Sequence, residues 1–355
     1  MTVTAPTAPA AEVPESGGTR LVDRVFKMRE LAILVVFLVM IAVTQAGNSQ
    51  FLSEQGIKDL LLNATILVLV ATGQSLVVIS RNVDLSVGST LGISAFAAGT
   101  YLHGGGDPVV AVVLAVLLGI GCGLLNGLLV SLGQVPALVV TLGTLYIIRG
   151  VDSIWVGSRQ ITAADLPGGF VDFGSGGLSA VPWLALIALA VLVATAYYLK
   201  HFGSGRELYA LGSNPEAARL AGIPVRKRLL TAYTVCGALA GLAGALYLAR
   251  FGNVDSGTGN GYELTVVSAV VVGGVVFTGG SGSVYGAALG ALLLTSVNSV
   301  LPALGVSSVW VLAINGVLLL LAIAVDRIVA LRVAAALKKK SAPRRTAVAK
   351  ENTGA

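Results

Sequence analysis

The sequence predicts an all-α polytopic membrane protein with about ten transmembrane helices, an internal repeat, and one short helix on a polar loop at the membrane surface. Three observations carry this. Only 11% of the 355 residues are charged and 55% are hydrophobic, whereas a soluble domain carries about 25% charged residues. Apolar windows long enough for a bilayer core, which takes about 20 residues per helix, recur along the chain. One polar and basic stretch, LGSNPEAARLAGIPVRKR at 211–228, interrupts them.

Taken in order, the apolar windows place helices near 31–46, 60–80, 85–101, 108–131, 135–155, 182–199, 229–249, 263–277, 284–302 and 307–325. The span at 85–101 is the weakest, being rich in Gly, Ser and Ala. Residues 1–30 precede the first span as an N-terminal tail. Its first 19 residues lack an apolar core, which predicts disorder and excludes a cleaved signal peptide. Residues 31–326 form the transmembrane domain, with a polar loop at 200–228. Residues 327–355 form a basic C-terminal tail. Lys and Arg mark the cytoplasmic side. With ten spans and both termini in the cytoplasm, all but Lys58, Arg149, Arg159 and Arg250 of the 23 basic residues fall inside. The loop 200–228 is then cytoplasmic.

The net charge of +6 is mostly this topology signal, reinforced by the tail KKKSAPRR at 338–345. Neither tail interleaves aromatics with its charges, which argues against nucleic-acid binding. Cys122 and Cys236 both fall within predicted spans and form no CxxC motif, so a disulfide framework or zinc site is not expected. His103 and His201 fall on opposite sides of the membrane and cannot share a metal. No GxxxxGK[ST] phosphate loop and no GxSxG motif occurs. Enzyme chemistry in this chain is therefore not expected.

Small-xxx-small spacing recurs at Gly119/Gly123/Gly127, Gly88/Gly92, Gly237/Gly241 and Gly282/Gly286/Gly290. Such faces let helix backbones approach closely in lipid. The segment VVISRNVDLSVGSTLG (77–92) aligns without gaps on VVGGVVFTGGSGSVYG (271–286) at an offset of 194. Both leave an apolar span, break at a polar or Gly-rich turn, and resume after a shared Gly-Ser. Transporters are often built from duplicated halves with interrupted helices. The span count makes these repeats parallel; one span more or fewer between them would make them inverted. Arg81 and Asp84 at the first break are either an interfacial pair or a hinge lining a pathway, with Ser86 and Ser89 beside it. Asn63, Gln74, Asn126, Thr141, Asn298 and Asn315 lie deeper in spans. Singly, each suits a hydrogen bond to a neighbouring helix. As a set, uncharged amides and hydroxyls suit the route of a neutral polar solute, whereas an ion pump would show carboxylates or lysines at depth. Gln74, Asp84, Ser86, Ser89, Asn126, Thr141 and Asn298 are the pathway or gate candidates.

The polar stretch spells a short helix. Asn214 suits the N-cap and Pro215 the first helical position. Glu216 favours the helix dipole in the first turn. Gly222 fits the left-handed C′ position, and Pro224 forbids continuation. About two turns of helix are marginal alone in water, so this one needs a surface: a lipid headgroup layer or a soluble partner.

GSNPEAARLAGIPV resembles the cytoplasmic coupling loop of ABC importer permeases, and most closely that of the ribose-type sugar permease family. NVDLSVGS (82–89), NGLLVSLGQVPALVVTLGTLYIIRG (126–150), GTGNGYELTVVSAVVVGGVVFTGGSGS (257–283) and LGVSSVW (304–310) resemble that family's segments in its order, over roughly residues 50–327. The resemblance implies a multi-pass permease of the bacterial inner membrane that works as two copies or with a paralogue. It implies a separate cytoplasmic ATPase that binds ATP and magnesium, with no cofactor in this chain, and an extracytoplasmic sugar-binding protein that docks on 150–181 and 250–262. Carried over by position, Asn214, Pro215, Glu216, Ala217, Ala218, Arg219 and Gly222 would form the coupling helix seated in the ATPase. Asn82-Val83 after Arg81 departs from the family's usual pair before Asp-Leu-Ser and resembles its rhamnose branch. Two alternatives remain at this stage. One is an amino-acid permease of the same superfamily. The other is an ion-coupled secondary sugar carrier, for which a coupling helix would have no role.

Overall fold

A computed structural model describes residues 17–303 and, beyond them, positions 307, 310, 313, 314, 316–318, 320, 321 and 324. The helices are α1 (Gly17–Gly47), α2 (Glu54–Ile79), α3 (Val87–His103), α4 (Pro108–Ser131), α5 (Ala137–Val156), α6 (Gly168–Ser175), α7 (Trp183–His201), α8 (Gly203–Ser213), α9 (Pro215–Leu220), α10 (Val225–Phe251), α11 (Tyr262–Val272) and α12 (Val284–Ala303). A two-stranded hairpin, Gly177–Leu178 with Val181–Pro182, precedes α7. Helix starts follow local chemistry. The Ser53 side chain accepts from the Gly56 N–H to cap α2, and Asp107 does the same for α4, with Pro108 in the first turn.

Among the described residues, six helices are long and apolar enough to cross a membrane: α2, α4, α5, α7, α10 and α12. The part of α1 from Ile33 to Gly47 and the whole of α11 are shorter apolar helices. In the tenth expected span, 307–325, ten of the nineteen positions are described, and all of these except Ser307 are helical. Residues 17–30 are helical and continue into the first span, because RLVDRVFKMRE contains neither Gly nor Pro and favours helix. The span expected at 263–277 ends at Val272, where Gly273 and Gly274 break it.

The α2 helix forms the axis of the bundle, with 94% of its membrane-length window buried, whereas only 22% of the corresponding windows of α4 and α7 is buried. Exposed Leu117, Leu125, Leu189 and Val193 give α4 and α7 the apolar outer faces that lipid requires. The α4–α10 contact is built on glycine. A side chain at Gly119 would strike the Gly237 carbonyl, one at Gly123 the Tyr233 carbonyl, and one at Gly241 the Ala115 carbonyl. The GxxxG faces of the two helices thus meet backbone to backbone.

The loops sort to two ends. At one, the Arg250 side chain pairs with Asp59 at 3.2 Å, Ile161 bridges to Val254, and His103 lies 3.3 Å from Asp165. There the N–H and hydroxyl of Thr162 hold the Asp165 carboxyl below its ordinary range. At the other, the Gly280 N–H donates to the Ile79 carbonyl at 2.8 Å, joining the turns that follow α2 and α11. Those two helices therefore run in the same sense, and the repeats are parallel.

The repeat is also visible in backbone detail. The N–H groups of Ser80, Arg81 and Asn82 donate to the carbonyls of Leu76, Val78 and Val77, and those of Gly273, Gly274 and Val275 donate to Ala269, Val271 and Val270. Arg81 and Gly274 both have positive φ, 66° and 96°. The two helix ends are the same Schellman-type motif at an offset of 193, one residue from the sequence register. The shared Gly-Ser is not equivalent. Ser89 lies inside α3, whereas Ser283 caps α12, its Oγ accepting from the N–H groups of Tyr285 and Gly286.

Candidate functional site

After Ile79 the chain does not remain at the bundle surface. Arg81 is exposed, but Asp84 and Ser86 are buried, and α3 begins only at Val87. Arg81 and Asp84 are therefore not an interfacial pair. The segment 82–86 re-enters the bundle as irregular backbone, which is tolerated at membrane depth only where protein satisfies its polar groups. Five of the sequence-predicted pathway residues do so. The Gln74 carboxamide, oriented to satisfy both groups, pairs with the backbone N–H and carbonyl of Asp84 at 3.1 and 3.2 Å. The Thr141 hydroxyl and the Tyr233 hydroxyl donate to the Val83 carbonyl at 3.3 and 3.2 Å. The Asp84 carboxylate accepts from the Ser86 N–H at 2.9 Å and from its hydroxyl at 2.7 Å. The Asn126 amide donates to the Ser86 Oγ at 2.7 Å and reaches both Asp84 oxygens at 3.3 Å. Thr144 donates to the Asn126 carbonyl oxygen at 2.7 Å. Thus α2, α4, α5 and α10 all grip one re-entrant segment. Gln74, Asp84, Ser86, Asn126 and Thr141 are each at most 1% exposed. Ser89, also buried, donates to the Ser86 carbonyl and stands one turn further along α3.

The polar stretch forms the expected short helix, α9. The Asn214 side chain accepts from the Ala217 N–H at 3.1 Å, Pro215 opens the helix, and Gly222 has φ 80°. The N–H groups of Gly222 and Ile223 donate to Arg219 and Ala218, closing a Schellman-type end. Of its residues only Ala218 is buried, whereas Leu220 is 89% exposed. This helix is a peg, seated by one alanine and otherwise free.

Sequence reasoning missed the element that holds the peg. The loop contains a second helix, α8, GSGRELYALGS, whose Gly and Ser ends leave only RELYAL as a short run of helix formers. Tertiary contacts stabilise it. A side chain on Gly212 would strike the Ile79 carbonyl and the Gly280 N–H, and one on Gly280 would strike Ser213. The Tyr209 hydroxyl, which burial pushes up to about 12, donates to the Gly282 carbonyl at 3.1 Å. Arg228 pairs with Glu207, tying α8 to the start of α10. The end of α8 is thus wedged between the turns of both repeats, two residues before the cap of α9.

Asn298 stands apart from the re-entrant network. With Asn63 it lines a cavity of 360 Å³ among α2, α11, α12 and the loop 252–261, toward the opposite end of the bundle. Asn260 and Tyr262 also line a smaller cavity of 190 Å³ within that loop. The signal was present in the sequence: GTGNGYELT supplies Asn260, Tyr262 and Thr265. Asn315 lies outside the described residues. Among the described residues, no three His, Cys, Asp or Glu side chains are grouped as a metal site would require.

Residues 56–323 match the family described as branched-chain amino acid transport system / permease component. The chain is 37% identical to the autoinducer 2 import system permease protein LsrC of Salmonella paratyphi B over 295 residues, 82% of this chain and 84% of that one. It is 36% identical to the LsrC protein of Enterobacter sp. over 300 residues, covering 84% and 87% of the two chains. The LsrC protein of Escherichia coli O157:H7 is 36% identical over 301 residues, covering 84% and 86%. No solved structure matches the chain.

Proposed function

The chain belongs to the branched-chain amino acid transport system / permease component family, and from that premise we propose that it carries a sugar-like solute inward, driven through α9 by a separate ATPase. It is a multi-pass membrane protein and the permease subunit of an ABC importer, a transport component rather than an enzyme. The observation that carries the coupling is the peg itself: a capped, almost wholly exposed helix whose neighbour α8 is wedged between the turns that follow α2 and α11. Leu220, 89% exposed, suits insertion into a groove on a soluble partner better than contact with water.

The roles of the named residues follow. Asn214, Pro215, Glu216, Ala217, Ala218, Arg219 and Gly222 form the coupling helix seated on the ATPase, which binds ATP and magnesium; the chain itself holds no cofactor. Movement of α9 passes through Gly212 and Ser213 to the turns at Ile79 and Gly280. The first turn leads within five residues to Asp84, where Gln74, Ser86, Asn126 and Thr141 hold the re-entrant segment. That network is the gate: while closed it seals the bundle, and a shift of the turn releases it. Ser89 and Asn298 line the route on either side. The end bearing α8 and α9 is cytoplasmic, as are both termini, and the membrane is the bacterial inner membrane. The segments 150–181 and 250–262 receive a solute-binding protein, and a second copy or a paralogue completes the channel.

Import of a sugar-like compound is favoured over an amino acid by the residues at depth. An amino acid carries two charges, and the cavity at Asn63 and Asn298 is lined by none. The rhamnose-like Asn82-Val83 pair narrows the class without fixing the solute. The test is uptake of labelled D-ribose, L-rhamnose, autoinducer 2 and L-leucine in cells with and without this chain. Loss of leucine uptake alone would overturn the sugar reading. Uptake that persists when the partner ATPase is deleted would overturn the coupling.

A further inference from the structure

We propose that the cavity of 360 Å³ at the end opposite α9 is a binding subsite for a neutral polyhydroxylated solute of monosaccharide size, a waiting position on the route. The inference rests on the permease reading and adds to it a place and a chemistry. Ligand cavities run from about 300 to 1,000 Å³ and combine apolar walls with a few convergent polar groups. Here the polar groups are Asn63 on α2, Asn260 before α11, Thr265 on α11, and Asn298 and Ser299 on α12, with the Tyr262 ring beside them. An amide carries two donors and an acceptor, and the Thr265 and Ser299 hydroxyls, which already donate to the Gly261 and Thr295 carbonyls, present their oxygens as acceptors. Such a lining matches the mixed donors and acceptors of a polyol.

The competing ligand classes fit less well. No charged side chain lines this cavity, so a cation lacks carboxylates and an anion lacks guanidinium or ammonium partners. The start of α11 does not supply an anion site, because Glu263 already accepts from the Gly261 N–H. Asn260 and Tyr262 are shared with the smaller cavity in the loop 252–261, where the Gly257 N–H and the Thr258 hydroxyl fix the Asp255 carboxylate. A solute released at that loop meets the larger cavity next. Beyond the cavity, Gln74 lies eleven residues after Asn63 on α2. Eleven residues make three helical turns, so it stands on nearly the same face about 16 Å further in. The buried network around Asp84 therefore lies below the cavity, on the side toward α9.

The experiment uses the complete transporter with its ATPase and binding protein, in vesicles supplied with labelled D-ribose, L-rhamnose or autoinducer 2, whichever the native transporter takes up. Asn298→Ala and Asn63→Ala should each lower the initial uptake rate about tenfold, the effect of one lost hydrogen bond to the solute. ATP hydrolysis stimulated by the loaded binding protein should stay within about twofold of the native rate, below the effect of one hydrogen bond. Native uptake in both variants overturns the subsite, as does equal loss of uptake and hydrolysis. If alanine disturbs packing, Asn298→Cys gives an independent reading. A membrane-impermeant maleimide should modify it, and the transported solute should protect it; modification without protection overturns the proposal. A coupling variant, Leu220→Asp, separates this failure from failure of the permease reading. Loss of uptake and hydrolysis there, with native uptake in Asn298→Ala, leaves the transporter reading standing and removes only the subsite.

Discussion

At the scale of the residue, Asn126 is the key to the re-entrant segment. Its amide donates to Ser86 and Asp84 while its carbonyl oxygen accepts from Thr144. Removing it takes a partner from buried groups on two elements at once, Asp84 and Ser86 in the re-entrant segment and Thr144 on α5. Leaving buried polar groups short of a hydrogen bond costs about 1–3 kcal/mol. Asn126→Ala should therefore lower the unfolding temperature in detergent, with a loss of about 1–3 kcal/mol, whereas Val113→Ala on the exposed face of the same helix should change it little. A native melting curve for Asn126→Ala would mean that the network does not hold the segment. The polarity of Gln74, Asp84, Asn126 and Thr141 was legible in the sequence, because amides, hydroxyls and a carboxylate stand out in apolar spans. Their convergence was not. Asp84 and Asn126 lie 42 residues apart, and helical periodicity carries no information about which faces of different helices meet. The sequence reading of each as a hydrogen-bonding group did not reveal that Gln74 and Thr141 satisfy backbone that has left the helix.

At the scale of the element, local rules succeeded wherever the chain decides its own conformation. Asn214, Pro215, Gly222 and Pro224 fixed α9 at both ends, and the structure reproduces the cap and the left-handed glycine. The rules failed where contacts decide. The α8 helix begins and ends in glycines and serines, and Gly212 lets it seat on the Ile79 carbonyl. The end of α11 was placed too late because hydropathy reads VVVGGVVF as one apolar run, while Gly274 supplies the positive φ that ends it. Two predictions belong here. Gly212→Ala puts a methyl group where the Ile79 carbonyl stands, so α8 must shift. The transporter should insert normally and bind its ATPase, yet uptake per ATP hydrolysed should fall severalfold; tight coupling in this variant would mean that α8 does not carry the movement. Gly119→Leu, by contrast, forces apart α4 and α10, whose backbones touch along Gly119, Gly123, Gly237 and Gly241. Overpacking costs about 1–3 kcal/mol or more, and the rigid helical backbone opposite has no side chain to yield. That variant should lower both the yield of folded protein and its unfolding temperature, measured by fluorescence-detected size exclusion after heating.

At the scale of the whole molecule, everything turns on which way the bundle faces. The charge bias and the fold constrain this independently. Basic residues crowd 200–228 and both tails, and Arg and Lys are retained in the cytoplasm. The contacts between Ile79 and Gly280, and between Gly212 and both, put α9 at the same end as the turns that close the two repeats. Arg250, Lys58, Arg149 and Arg159, the exceptions to the bias, belong to the opposite end, where Arg250 pairs with Asp59 and the Arg149 guanidinium donates to the Thr258 carbonyl at 2.6 Å. These four are not stray: two serve specific bonds that hold the loops at that end. Single cysteines test the orientation directly, with Cys122 changed to Ser and Cys236 left in place because it is buried. Leu178, 60% exposed in the hairpin before α7, and Leu220, 89% exposed on α9, are the two reporters. In intact spheroplasts an impermeant maleimide should label Leu178→Cys and leave Leu220→Cys untouched until the membrane is opened. The partner ATPase, when present, should then shield Leu220→Cys in opened membranes. Labelling of Leu220→Cys from outside would place the peg where no nucleotide-driven partner can reach it, and the movement traced from α9 through Gly212 to Asp84 would have no source.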